Sequence, residues 1–372
     1  MTTPFHAGER AVQTRAAVPP EWREKATHFI LPEISDRHRG FLGSVGLLFT
    51  ALLDPAGRPW ATPIVGGPGI ALAQSPSDLV LARAPDLVRP LGLDTAPGAP
   101  VGLLGIDLLT RQRVRINGRI RAHEPDGLAV AVDQAFGNCP QYIQSRAFDE
   151  ELTGRAPRAV RADPDSKAIR RIMDGADTFF IASRAPDARR SGIDISHRGG
   201  RPGFLRMHGQ NTLSFPGFRG NRFFNTLGNI EADGRVGIFV PDFATGSAAI
   251  VTGRATIDWT SDRIDAFDGA ERIVDVIFEE AWHVADALPA PARLIEMSPA
   301  LERTGRWVLR ETGRNDRPGW PGTEAPDMPG PAGDGSATSR SDHDAGIQPG
   351  PAPSDRTAHR ISKRRQNVEI GR

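Results

Sequence analysis

The chain has 372 residues, enough for two ordinary domains, and its 46 basic and 45 acidic residues leave a net charge of +1. No global field therefore recruits nucleic acid or an anionic membrane, and the single cysteine, Cys139, excludes an internal disulfide and a cysteine-built zinc site. No apolar run approaches the roughly 20 residues of a membrane span, and the N-terminal stretch has no apolar signal core, so a soluble cytoplasmic protein is expected.

Residues 1–40 read as a leader of mixed charge, with a short helix over 21–29. From Phe41 the pattern turns to β. Residues 41–53 are a nearly continuous apolar run, the turn Asp54-Pro55-Ala56-Gly57 follows, and 58–65 completes a hairpin. Ile70-Ala71-Leu72 and residues 78–82 read as short strands, and 85–93 as a short helix. Residues 101–108 and 113–122 form a second hairpin around Leu109-Thr110-Arg111-Gln112. In its second arm Val114 and Ile116 alternate with arginines, which predicts a strand with one wet face. Short antiparallel strands with few helices indicate a small β-barrel rather than a βαβ layout.

The pattern then recurs. Val101-Gly102-Leu103-Leu104 matches Val236-Gly237-Ile238-Phe239, and Ile116-Asn117-Gly118-Arg119 matches Val251-Thr252-Gly253-Arg254, both displaced by 135 positions. Upstream, Gly69 matches Gly203 at a displacement of 134. Three landmarks in one order at nearly constant spacing predict a tandem duplication, with repeats over 41–133 and 176–310 and a helical linker over 134–175. Within that linker, residues 165–175 have a helical pattern through Ile169, Ile172 and Met173; residues 268–287 form the longest helical candidate. Residues 311–372, rich in Pro, Gly, Ser and Asp, read as a disordered tail, and their cluster Lys363-Arg364-Arg365 as solvated.

Residues 191–229 pack glycine clusters and arginines between short apolar strands at 204–207 and 212–215. Gly220 permits close backbone approach, Asn221 and Arg222 open the following helix, and a helix start with an arginine favours phosphate. Ser214, with Ser196 or Arg198, completes a cradle, and Gly203-Phe204-Leu205 can run along an aromatic ring system. The set suits a phosphorylated planar cofactor such as flavin mononucleotide (FMN); the alternative is that the arginines only pair with surface acids. The first repeat keeps a Leu-Gly pair in the matching loop, residues 84–94, but lacks the Gly-Asn-Arg group, and opposite Ser196-His197-Arg198 it offers Ile64-Val65. The second repeat is therefore expected to supply most ligand contacts. Neither a dinucleotide fingerprint nor a Walker loop is present. His197, His208 and His283 lack metal-ligand spacing and read as ordinary histidines, Cys139 as a small apolar residue, and Asp242, Asp258 and Asp262 as turn residues.

The stretch from Ile193 to Phe204, with His197-Arg198-Gly199-Gly200 at its centre, resembles the pyridoxamine 5′-phosphate oxidase-like, FMN-binding split-barrel superfamily, in its tandem-duplicated subgroup. Leu213-Ser214-Phe215-Pro216, Gly220-Asn221-Arg222, residues 225–230, the 236–254 hairpin and Asn138-Cys139-Pro140-Gln141-Tyr142-Ile143-Gln144 carry the same resemblance. It implies six-stranded antiparallel Greek-key barrels with flanking helices, a mainly β (α+β) fold, paired as a pseudo-dimer within one chain that can itself form a homodimer. It also implies FMN in the cleft between the repeats. Asn221 and Arg222 would hold the phosphate with Ser214 beside them, and Gly203, Phe204 and Leu205 would line the isoalloxazine. Ser196, Arg198 and Asn225 complete the implied cofactor contacts, and Pro140 to Gln144 would give the opposite wall. The substrate-phosphate residues and the C-terminal Arg/His strand of the pyridoxamine-phosphate oxidases are not found in this sequence. The implied function is therefore an FMN-dependent oxidoreductase of a small molecule other than a B6 vitamer, with NAD(P)H or a separate reductase as electron donor. A non-catalytic flavin- or haem-binding carrier or sensor, and an interaction protein with decayed sites, are the other readings. No acid–base catalyst is identified.

Overall fold

In the first hairpin, β1 (Leu47–Leu53) and β2 (Pro59–Val65), the turn is fixed by its own residues. Asp54 accepts from the Arg58 N–H at 2.9 Å and from Trp60 Nε1 at 3.1 Å, and Gly57 takes φ +74°. The computed structural model describes residues 3–124, 127–148, 156–186, 192–289 and 291–307; the expected tail over 311–372, with its basic cluster, lies outside them. Helices α1 (Ala7–Arg15), α2 (Pro20–Thr27) and α3 (Asp36–Ser44) precede this hairpin. It is followed by β3 (Ala71–Ser75), β4 (Asp78–Leu81), α4 (Val88–Leu91), β5 (Pro100–Asp107), β6 (Gln112–His123) and β7 (Leu128–Gly137). Next come β8 (Ser145–Phe148), β9 (Arg158–Ala162) and α5 (Lys167–Gly175). The second half contains β10 (Thr178–Arg184), β11 (Ile193–Gly199), β12 (Arg206–His208), β13 (Thr212–Phe218), α6 (Asn225–Ala232), β14 (Arg235–Pro241), β15 (Ala248–Asp258), β16 (Ala270–Ala285) and β17 (Ala292–Glu296).

The protein is mainly β, two tandem split barrels built to one plan. The first sheet runs β2-β1-β5-β6-β7-β4-β3 and the second β11-β10-β14-β15-β16-β13-β12, the same path strand for strand. The registers agree as well. Val101 faces Gly118 as Val236 faces Gly253, and a bulge falls at Asn117/Gly118 in one copy and at Thr252/Gly253 in the other. Even the hairpin turns match: the Asp107 carboxylate accepts from the Leu109 and Thr110 N–H groups and the Asp242 carboxylate from the Ala244 N–H.

The repeats meet face to face. Phe49 and Phe180 occupy the same register position, opposite Leu104 and Phe239, and their rings stack at 3.4 Å with 13° between planes. A residue stacked on its own counterpart marks a pseudo-twofold axis. Gly102 and Gly237 make the contact close: a Cβ on Gly102 would lie 2.9 Å from the Asp194 Cα, and one on Gly237 2.2 Å from the Pro59 carbonyl oxygen. Buried residues of the first barrel and of the interface, including Phe49, Leu104, Phe180, Ile195 and Phe239, form one apolar cluster. Phe179, Phe204, Phe215 and Val274 belong to the separate core of the second barrel.

The structure departs from the sequence reading at five points. Phe41 to Ser44 close helix α3, whose N-cap Ser35 accepts from the His38 N–H, and the first strand begins only at Leu47. Residues 270–285, expected as a helix, are the 16-residue strand β16. Its Ile273, Val274, Val276, Ile277 and Phe278 mimic helical spacing, but β-branched and aromatic side chains favour the pleated surface between β13 and β15. Among the described residues each sheet path has seven strands where six were expected, and β9 pairs with β16 as an eighth strand of the second sheet. Between the repeats, residues 134–175 hold the end of β7 and the strands β8 and β9 as well as helix α5. The N-terminal residues are also built into the fold: α1 lies on α6, where a Cβ on Gly8 would sit 2.2 Å from the Gly228 carbonyl oxygen.

Candidate functional site

The β6 strand supplies the first half of the site. Its alternation of Val114 and Ile116 with arginines predicted a wet face, yet Arg115 is only 4% exposed. The face that carries Arg113 and Arg115 turns toward the second repeat. There Arg115 Nη1 donates to Asn225 Oδ1 at 2.9 Å and Nη2 to Ser196 Oγ at 2.5 Å, while Ser196 Oγ also pairs with Thr226 Oγ1 at 2.8 Å. Arg113 Nη2 donates to the Cys139 carbonyl at 2.5 Å. This is the main functional signal that the sequence reading missed: an arginine every second residue in a strand otherwise apolar marks a charged face, which is wet at Arg119 and Arg121, as expected, and interior at Arg115.

Around these arginines lies a cleft shared by both repeats. Its walls include Arg113, Arg115, Asn138, Cys139, Gln141 and Tyr142 from the first half, and Ser196 to Gly199, Phe204, Asn221, Arg222, Arg272 and the first turn of α6 from the second. Burial, then the neighbouring Arg115 and Arg198, brings the Arg113 guanidinium down to about 9, and burial with Arg115 beside it brings Arg198 down to about 10. Among the described residues, Arg113, Arg115, Arg198 and Arg222 form no ion pair with a carboxylate, and the Nε atoms of Arg113, Arg115 and Arg272 have no hydrogen-bond partner. Arg272 pairs with Glu271. Asp194 offsets part of the charge on Arg115 and Arg198, but cations gathered at this density still repel one another, and an anion in the cleft relieves that cost. The start of α6 adds the partial positive charge of a helix N-terminus.

The loop ahead of α6 is held under backbone strain. Arg222 and Phe224 take φ +58° and +63°, left-handed values uncommon for residues with a Cβ. Asn221 secures the loop at both ends, accepting from the Phe223 N–H at 3.1 Å and donating to Asn138 Oδ1 at 3.0 Å. Helix α6 itself starts at Asn225, so Asn221 and Arg222 precede it instead of opening it. Aromatic rings form the remaining wall: Tyr142 stacks on Phe218 at 5.1 Å, its hydroxyl donating to the Arg219 carbonyl at 2.9 Å, and Phe204, Phe215 and Phe224 also face the cleft.

Of the nine residues singled out from the sequence, the cleft gathers Ser196, Arg198, Phe204, Asn221, Arg222 and Asn225. The other three lie elsewhere. Gly203 sits in a turn at φ +88°, and Leu205 is buried in the core of the second barrel. Ser214 is fully buried on β13, where it donates to Asp275 and accepts from Arg263 Nη2 at 2.9 Å. Its hydroxyl is committed to that pair, so it does not face the cleft.

The α1 helix supports the site from behind. Buried Glu9 accepts from Asn225 Nδ2 at 2.5 Å and from the His6 N–H at 2.8 Å, so Asn225 bridges Glu9 to Arg115. Burial pushes the Glu9 carboxyl up to about 8. Sequence gave no sign of this contact, because 216 residues separate the partners.

The pseudo-equivalent cleft lacks these groups. By strand register, Thr62, Pro63 and Ile64 stand where the second repeat has Ser196, His197 and Arg198, and Ala248 and Ile250 stand where the first has Arg113 and Arg115. The opposite of Ser196-His197-Arg198 is thus Thr62-Pro63-Ile64, a different register from the expected Ile64-Val65. Among the described residues a pinched gap lies there, beside Pro63, Val65, Asp86, Leu87 and Asp286.

No helix among the described residues is long and apolar enough to cross a membrane. No protein-family model and no curated protein matches the chain. Among solved structures, HupZ of Group A Streptococcus is similar at 14% identity over 34% of this chain and 98% of its own, with a TM-score of 0.27. A candidate pyridoxamine 5′-phosphate oxidase from Lactobacillus delbrueckii is similar at 14% identity over 28% of this chain and 83% of its own, with a TM-score of 0.24. For a candidate 5-nitroimidazole antibiotic resistance protein from Bacteroides thetaiotaomicron the values are 12%, 37%, 93% and 0.24. The split-barrel description of this chain rests on its own strand order and register.

Proposed function

We propose that the cleft binds FMN and that the chain is an FMN-dependent oxidoreductase of the pyridoxamine 5′-phosphate oxidase-like superfamily, acting on a small molecule. The observation that carries this reading is the group of unpaired guanidiniums beside an aromatic wall and a helix start, all in one cleft. An anion alone would explain the arginines; a planar anion explains the rings as well.

Arg198 and Arg222, with Asn221 and the first turn of α6, would hold the phosphate, and Arg113 and Arg272 flank them. Phe204, Phe218, Phe224 and Tyr142 would enclose the ring. When bound, the flavin supplies reversible hydride transfer, and the residues of the cleft bind and orient it. Arg115, tied to Ser196 and Asn225, keeps the two repeats in register around it. Electrons would come from NAD(P)H or from a separate reductase.

The test is the visible spectrum of the purified protein before and after incubation with FMN. Flavin bands that stay with the protein through gel filtration support the reading, and a protein that remains colourless after reconstitution contradicts it. Bleaching of the bound flavin by NAD(P)H separates an enzyme from a carrier.

A further inference from the structure

His197 lies in the cleft wall on β11, next to Arg198, and is 3% exposed. Neither of its ring nitrogens has a hydrogen-bond partner. Its ring stands edge-on to Phe180 at 5.5 Å, and the cations of Arg113, Arg198 and Arg146 act on it electrostatically. Burial and those three cations hold it neutral. A neutral imidazole carries one donor and one acceptor, and leaving both unmet in the interior is costly. The counterpart in the first repeat, Pro63, has no polar side-chain atom and lies beside a gap too small for a ligand. The polar side chain is therefore kept only where the cleft is open.

We infer that His197 is a specificity-determining residue that hydrogen-bonds the heteroatom edge of the ligand's ring system, not its phosphate. This rests on the flavin reading of the cleft. The arginines provide the charge that a phosphate needs, and none of them can accept a hydrogen bond. An imidazole that stays neutral among three cations adds little to anion binding, whereas it can pair with a ring N–H, ring nitrogen or ring carbonyl. It would favour a ring that offers such a group at that position over an apolar ring of the same size.

The experiment titrates FMN and riboflavin, which lacks the phosphate, onto wild-type protein, His197→Phe and His197→Gln. Thermal unfolding confirms that each variant is folded. His197→Phe should weaken both flavins by about tenfold and by the same factor, because the lost contact is to the ring. His197→Gln, which restores a donor and an acceptor, should stay within about threefold of wild type. Undiminished affinity in His197→Phe, or a loss confined to FMN, overturns the inference while leaving the flavin site standing. Wild-type protein that binds neither flavin overturns both. Should His197→Phe fail to fold, the imidazole nitrogen resonances of wild-type protein give the answer: they should shift on adding riboflavin, and unchanged His197 signals contradict the assignment.

Discussion

Arg115 of the first repeat reaches Ser196 of the second at 2.5 Å, across 81 residues of sequence, and through Nη1 also holds Asn225 at 2.9 Å. One buried guanidinium thus joins β6, β11 and α6 at the floor of the cleft. Arg115→Met should leave Ser196 and Asn225 short of a donor and cost about 1–3 kcal/mol of stability. Denaturant unfolding measures this, and FMN affinity should fall in the same variant, since the α6 start loses its anchor.

On the proposed flavin reading, the phosphate contacts are separable from the ring contacts. Arg222→Ala and Arg198→Ala should each weaken FMN by at least about tenfold, the value of one charge-assisted hydrogen bond of roughly 1.5–3 kcal/mol. Riboflavin, without the phosphate, should bind each variant about as it binds wild type. Fluorescence titration of the two flavins checks both statements.

Closeness of the repeats is itself testable. A methyl group at Gly237 would meet the Pro59 carbonyl oxygen at 2.2 Å, so one strand must retreat to admit it. Gly237→Ala should cost about 1–3 kcal/mol or more, as overpacking of a tight contact does. The same change at Gly67, where a Cβ meets nothing within 4 Å, should be nearly neutral. A thermal-unfolding comparison of the two variants decides it.

Glu9 predicts a pH dependence. Its carboxyl sits at about 8 in the folded protein, raised from 4.5 first by burial. Between those values the folded chain retains a proton that the unfolded chain has released, so this group's contribution to stability falls as pH rises from about 4.5 to about 8. Glu9→Gln removes the titration while keeping an acceptor for Asn225. Its unfolding temperature should therefore decline less than that of wild type between roughly pH 5 and pH 8.

The hairpins and the duplication were legible because each depends on local or repeated signals. Asp54 and Gly57 define a turn within four residues, and the Gly118 and Gly253 bulges recur at a fixed spacing. β16 was not legible, since Ile273, Val276 and Ile277 fit the helical period and nothing local says that strands will flank them. The 219–222 loop announced itself through glycine and arginine. Of the opposite wall, Gln141 and Tyr142 fall within the segment the resemblance implied, but the arginines were not legible: whether Arg115 faces water or Ser196 is decided by how one barrel docks on the other, and Glu9 reaches Asn225 only once α1 lies on α6. Ser214 shows the converse, a plausible ligand from its sequence neighbourhood that tertiary packing assigns to Asp275 and Arg263.

The most direct test is the stoichiometry of FMN binding, read by equilibrium dialysis against purified protein. Arg113, Arg115, His197 and Arg198 serve one cleft, while Ala248, Ile250, Pro63 and Ile64 fill the matching positions of the other. The account predicts one FMN per chain. Two per chain would contradict the loss of the second site, and none would contradict the flavin cleft itself.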